Sequence, residues 1–228
     1  MENIKNEILL QQRFEFGANW KRFLTVLDDD RINLAVTSLK VMLGVNDLVG
    51  KSFLDIGSGS GLFSLAARRL GANVLSFDFD PESVACTAEL KKRYYFDDNQ
   101  WTIEEGSALN RDYLNGLGKF DIVYSWGVLH HTGDMWCALN NVVNLVKKSG
   151  LLFIAIYNDQ DFVSQYWKII KKIYVKYKLL RWPLLLIHFP YPFFSSWLFR
   201  FITGRLQNQR GMDGWYEILD WIGGFPYD

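Results

Sequence analysis

The stretch that most constrains this chain is Phe53 to Gly61, FLDIGSGSG. Phe53, Leu54 and Ile56 read as a short buried strand with Asp55 near its end, and Gly57, Gly59 and Gly61 alternate through the turn that follows. LFSLAARRL then reads as an amphipathic helix. Glycines spaced this way let the backbone pass close under a ligand, because no Cβ intervenes and positive φ costs little. The turn also leaves N–H groups at the helix N-terminus available to that ligand. This is the pattern of a loop that cradles a nucleotide-type cofactor.

The spacing narrows the choice of nucleotide. A dinucleotide fingerprint, G-x-G-x-x-G, needs glycine at Leu62 if it starts at Gly57, or at Ser64 if it starts at Gly59. A phosphate-binding P-loop needs a Gly-Lys-Ser/Thr ending, which is absent. A second acid supports a nucleoside ligand. Asp78 closes the next strand, 21 positions after Gly57, where a carboxylate can accept from both ribose hydroxyls. Its competing role, capping the next helix, is better filled by Asp80, with Pro81 at the first helical position.

The rest of the chain from Lys51 to Tyr157 alternates strands with helices. Strands are expected at Lys51–Ile56, Asn73–Phe77, Gln100–Glu104, Phe120–Ser125 and Leu151–Tyr157, with helices at Leu62–Leu70, from Pro81 to about Phe96, and at Met135–Val146. That alternation implies a parallel α/β sheet with right-handed crossovers, whose ligands sit beyond the carboxyl ends of the strands. Residues 1–50 read as a helical preface, 51–160 as the cofactor-binding core and 161–228 as a helical, aromatic-rich lid. Within the preface, Asp30 is the expected cap of a helix over Arg31–Leu43, and Gly44 its stop. Trp20, in the run Phe14, Phe16, Asn19, Trp20, is either an aromatic staple or a substrate contact.

Composition sets the outer bounds. The 228 residues suit one domain with an appended lid. The 25 basic and 25 acidic residues give no global pull toward nucleic acid, so no nucleic-acid partner is expected. Cys86 and Cys137 read as reduced thiols, and the polar start lacks a secretory pattern, so a cytoplasmic location is expected. Three histidines with one adjacent pair, and two distant cysteines, form no metal-ligand pattern.

The string Asp55 to Gly61, acidic-x-Gly-x-Gly-x-Gly, resembles motif I of class I S-adenosylmethionine-dependent methyltransferases, a Rossmann-like doubly wound fold. The run FDIVYSWGVLHHTGDM is similar to that of small-molecule methyltransferases of the ubiquinone-biosynthesis type. The resemblance spans about Lys51 to Asp159. It implies that Asp55, Gly57, Ser58, Gly59 and Gly61 hold the amino-acid end of S-adenosylmethionine and that Asp78 and Phe79 meet the nucleoside. It puts adenine near Ser107 and Ala108, although many members carry an acid where Ser107 stands, and adds Ser125 and Trp126 as cofactor-side residues. The family's reaction is an in-line displacement in which alignment does most of the work, so S-adenosylhomocysteine is the expected product. For a hydroxyl acceptor a base near neutrality helps, and His130, His131 or Asp159 could be that base. For either histidine taken singly, a structural role is the competing reading. Tyr157 and Asn158 would line the same mouth, and Arg210, Asp220 and Trp221 would form an acceptor-binding cluster on the lid.

Two readings stay open for the segment after Asp159. Tyr166, Ile170, Ile173 and Tyr177 form one expected stripe, while Lys168, Lys171, Lys172, Lys176 and Lys178 occupy much of the remainder. The segment is either a lid with a solvated lysine face or a basic helix plus apolar wedge that touches a membrane to reach a lipid-like acceptor. Leu184 to Ile202 is broken by Pro190 and Pro192, a poor membrane span. Family members usually add two final strands, absent from the pattern here. That leaves a sheet edge for a homodimer or another partner to cover. It also keeps a non-catalytic or truncated cofactor-binding module as the alternative to an enzyme acting on a small-molecule acceptor at oxygen.

Overall fold

The structure, a computed structural model, describes residues 14–188, 211 and 214–224. In chain order the elements are α1 (Phe16–Phe23), α2 (Asp29–Leu43), β1 (Ser52–Ile56), α3 (Leu62–Arg69), β2 (Asn73–Asp78), α4 (Pro81–Tyr94) and β3 (Trp101–Glu105). There follow α5 (Arg111–Leu117), β4 (Phe120–Trp126), α6 (Met135–Val143), β5 (Val146–Ala155), α7 (Phe162–Lys176), α8 (Arg181–His188) and α9 (Gly214–Gly223). The strands form one sheet in the order β3-β2-β1-β4-β5, every pairing parallel. All five carboxyl ends therefore open on one edge, the edge on which such sheets bind ligands.

The strands are apolar on both faces because helices cover both. Phe53, Ile122 and Tyr124 pack with Leu39, Leu65, Ala66 and Leu90 on one face; Leu54, Ile56 and Val123 pack with Leu114, Ala138 and Val142 on the other. A third cluster, Trp167, Ile170, Tyr174, Leu185 and Ile222, joins α7, α8 and α9, with Phe14 and Trp221 against it.

Four expectations are corrected. The cap of α2 is Asp28, not Asp30, because the Asp28 carboxylate reaches the Arg31 N–H at 2.8 Å. Helix α5 was not anticipated; Asn110 caps it by accepting from the Tyr113 N–H. Strand β5 begins at Val146 rather than Leu151, with a register shift opposite Phe120–Ile122. On α7 the buried residues are Trp167, Ile170, Lys171, Tyr174 and Val175, a stripe rotated from the expected one, and Tyr166 and Tyr177 lie outside it. Lys171 is thus a core residue, not part of a solvated lysine face.

Candidate active site at the carboxyl edge of the sheet

The glycine turn is held from three sides. Gly57 and Ser58 both donate to the Phe77 carbonyl, at 2.8 and 3.1 Å, which ties the exit of β1 to β2. The Ser58 hydroxyl pairs with Thr87 of α4 at 2.9 Å. Gly59 donates to Asp78 Oδ2 at 2.9 Å. The indole of Trp20 lies against Gly59, where an added Cβ would stand 2.8 Å from Trp20 Nε1 at a φ of 54°. Val128 lies against Gly57 in the same way, which seats the loop after β4 on the turn.

The two motif acids have different surroundings. Asp55 is buried beneath the turn, where it accepts from Ser64 Oγ at 2.5 Å. Ser64 accepts from Ser76, and Ser76 from the Trp101 indole, so four buried polar groups form one chain. Burial is the main force on this carboxyl; the Ser64 hydrogen bond opposes it and Asp78 reinforces it, and the pKa rises to about 7. Asp55 supports the turn from below. Asp78 instead stands half-buried at the end of β2. Its Oδ1 accepts from the Asp80 N–H at 2.9 Å, so both carboxylate oxygens, with Oδ2 on Gly59, face the turn at the end of β2. Phe79 next to it is exposed.

The neighbouring strand ends are mostly committed to the scaffold. Ser107 Oγ accepts from the Leu109 N–H at 3.2 Å, and the Ala108 carbonyl accepts from Asn141 at 3.0 Å. Ser125 donates to the Ile56 carbonyl at 3.0 Å, a cross-link between β4 and β1. Trp126 stacks on Phe153.

Beyond β4, Gly127 turns out of the strand and Leu129–His131 form one tight 3-10 turn. Both histidines are buried by it. The His130 ring lies 4.2 Å from His131 and 4.0 Å from Tyr157, centroid to centroid, and His131 also meets Phe16 of α1 at 5.4 Å. His130 is completely buried, and neither ring nitrogen has a hydrogen-bond partner. Burial, helped by the Lys171 ammonium, pushes its pKa down to about 4.

Lys171 reaches this cluster from α7. Its Nζ donates to the Trp221 carbonyl and lies 5.0 Å from the centre of the Tyr157 ring and 5.5 Å from that of Trp221. The structure thus brings together His130, His131, Tyr157 and Trp221 from the sequence-derived set, and adds Lys171. The signal for Lys171 was its helical spacing, four residues after Trp167 and three before Tyr174. Asp159 is exposed and bonds locally to the Asp161 N–H, and Asn158 is exposed. Arg210 and the Asp220 side chain lie outside the described residues.

Residues 54–152 match the sequence profile of a family described as "Methyltransferase domain". This segment is a methyltransferase domain. The curated relatives include two ubiquinone biosynthesis O-methyltransferases. That of Glaesserella parasuis is 34% identical over 120 residues, covering 50% of this chain and 48% of the relative. That of Erwinia tasmaniensis is 32% identical over 115 residues, covering 50% and 45%. The chain spans about half the length of the curated relatives it matches. Among solved structures, the YcgJ protein of Bacillus subtilis superposes with a TM-score of 0.50 at 18% identity, over 64% of this chain and 59% of that one. The likeness is one of fold, the class I Rossmann-like sheet.

The cofactor of such a domain is S-adenosylmethionine, and the donor set here fits it. A half-buried carboxylate closes β2, an exposed aromatic ring stands beside it, and a turn of small residues adjoins both. Among the described residues no His, Cys, Asp or Glu group could hold a metal ion, and no helix is long and apolar enough to cross a membrane.

Proposed function

We propose that the chain is an S-adenosylmethionine-dependent methyltransferase acting at an oxygen of a small-molecule acceptor. The observation that carries this reading is one continuous edge. The Asp78-pinned glycine turn touches Val128, and two residues further on begins the His130–His131 pair. A cofactor site and an acceptor site sharing one loop is what methyl transfer needs, since its main requirement is alignment of acceptor, methyl and sulfur. The curated relatives, named as O-methyltransferases, support oxygen as the acceptor atom.

In this reading Asp78 holds the ribose, and Phe79 and Ser107 flank the base. The glycine turn, its Gly57, Ser58, Gly59 and Gly61 amides already bonded within the scaffold, adjoins the amino-acid end by close approach of its backbone. S-adenosylmethionine supplies an electrophilic methyl on a sulfonium. The protein's own residues bind, orient and exclude water: Trp20 covers the turn, and α7 and α9 close over the histidines as a lid. Asp159, exposed and engaged in its own turn, is the weakest of the three candidate bases.

The test is calorimetric titration of the 228-residue chain with S-adenosylmethionine, S-adenosylhomocysteine and NAD. Micromolar binding of the first two and none of NAD is the expected result. Binding of none of them overturns the reading.

A further inference from the structure

His130 presents a problem that the scaffold leaves unsolved. A neutral imidazole carries one donor and one acceptor nitrogen, and both are buried here without partners. Leaving such groups buried and unpaired is destabilising. An apolar side chain at this position would carry no such cost. The imidazole therefore reads as a group kept for a ligand.

The surroundings say which ligand. The groups facing His130 are His131 from its own turn, Tyr157 from beyond β5, and Lys171 from α7. Lys171 is buried, and its ammonium lies over the face of the Tyr157 ring that in turn packs on His130. A proton taken from a neutral hydroxyl would put a second positive charge on His130, inside the protein and near that ammonium. Burial and Lys171 already hold the ring neutral, with a pKa near 4. This arrangement is poor for general-base work at neutral pH. It suits an oxygen that arrives with its negative charge already in place.

We propose that the acceptor oxygen docking at His130 enters already ionised, as a carboxylate or as the anion of an acidic phenol or enol, taking one N–H from His130 while Lys171 balances its charge. The transfer then needs no proton removed. The anionic oxygen forms the new bond to carbon with its own electron pair, the carbon–sulfur pair stays on sulfur, and the negative oxygen and positive sulfonium become neutral together. The aromatic walls, Phe16, Tyr157 and Trp221, fit an acceptor with a flat ring. This assignment rests on the methyltransferase reading for the transfer step, but its binding half stands alone.

The test compares benzoate with benzyl alcohol, its neutral counterpart, by calorimetry on the full chain at pH 7.5, with and without S-adenosylhomocysteine. Benzoate is expected to bind at least about tenfold more tightly and to shift the imidazole resonances of His130 in 15N-histidine spectra, assigned with His130→Phe. Lys171→Met should reduce the benzoate-over-benzyl-alcohol preference by at least about tenfold, with circular dichroism as the folding control. Equal affinities, benzoate binding that leaves His130 unperturbed, or a preference that survives in Lys171→Met would each overturn the proposal. The wild-type spectra decide it even if the variant fails to fold. If S-adenosylhomocysteine does not bind but benzoate behaves as expected, the methyltransferase reading fails and the anion site stands. If it binds and benzoate shows no preference, only the anion site fails.

Discussion

At the scale of single residues, the two acids of the cofactor loop respond to substitution in opposite ways. Asp55 has its pKa raised, so the usual sign for a carboxylate is reversed. Below about pH 4 it is protonated in both folded and unfolded chains. As pH rises toward 7 only the unfolded chain ionises, and stability is lost across that window. Asp55→Asn keeps an acceptor for Ser64 and removes the penalty. Chemical denaturation is expected to find the variant little changed at pH 4 and more stable than wild type at pH 8, by roughly 4 kcal/mol. A difference that does not grow with pH contradicts this assignment. Asp78 is the acid we propose for the ribose. Asp78→Ala strips acceptors from the Gly59 and Asp80 amides as well as from the ribose, so it should cost both stability and cofactor affinity. Asp78→Asn retains an acceptor, and its affinity for S-adenosylhomocysteine should still fall more than about tenfold. If Asp78→Asn binds as tightly as wild type, Asp78 is a scaffold residue. The sequence singles out Asp78 because a strand-end acid has few other uses. It could not distinguish an Asp55 that reaches a ligand from one that bonds inward, because that turns on where Ser64 and Ser76 meet across the helix–strand interface.

At the scale of elements, the βα alternation was legible because each strand is a short apolar run bracketed by turn residues, and each central strand is covered on both faces. What escaped were elements whose local signals are ambiguous. Asp28, Asp29 and Asp30 are equally good caps by type, and only backbone geometry selects Asp28. Helix α5 is seven residues long and includes Gly116, too short for a helical period to stand out. Helix α1 illustrates the reverse, a preface whose docking depends on one residue. Gly17 donates to Asp80 Oδ2 at 2.9 Å, and a Cβ there would stand 2.3 Å from the Glu82 Cβ. Gly17→Ala must therefore lift α1 from the start of α4, and with it Trp20 from Gly59 and Phe16 from His131. Overpacking of this kind costs about 1–3 kcal/mol. Thermal unfolding should reveal a loss of that order, together with weaker S-adenosylhomocysteine binding. Loss of stability with unchanged binding would make α1 a support only, and Trp20 a staple.

At the scale of the whole molecule, the burial pattern separates the sheet from the α7–α9 layer. The sheet has two extensive clusters of its own, whereas the cluster of Trp167, Ile170, Tyr174, Leu185 and Ile222 is small; it meets the carboxyl edge through Lys171, Tyr157 and the histidines, and α1 through Phe14 and Tyr216. Small clusters open at lower free energy than large ones. A layer that opens first and carries one wall of the proposed acceptor site is suited to admitting an acceptor to His130, which has no exposed surface while the layer is closed. Ile222 is the residue to test, since it is fully buried and distant in sequence from both the glycine turn and the histidine turn. Truncating a buried isoleucine costs about 2–5 kcal/mol. In Ile222→Ala that loss should fall on the α7–α9 layer and its seat on α1, not on the sheet. Hydrogen exchange followed by mass spectrometry is expected to show faster exchange across 162–188 and 214–223, and unchanged protection in β1 and β4. Affinity for S-adenosylhomocysteine should stay within about threefold of wild type, because the Asp78 and glycine-turn contacts belong to the sheet. Uniformly faster exchange would mean instead that the layer and the sheet unfold as one unit, and acceptor entry would then require a smaller motion than opening of the α7–α9 layer.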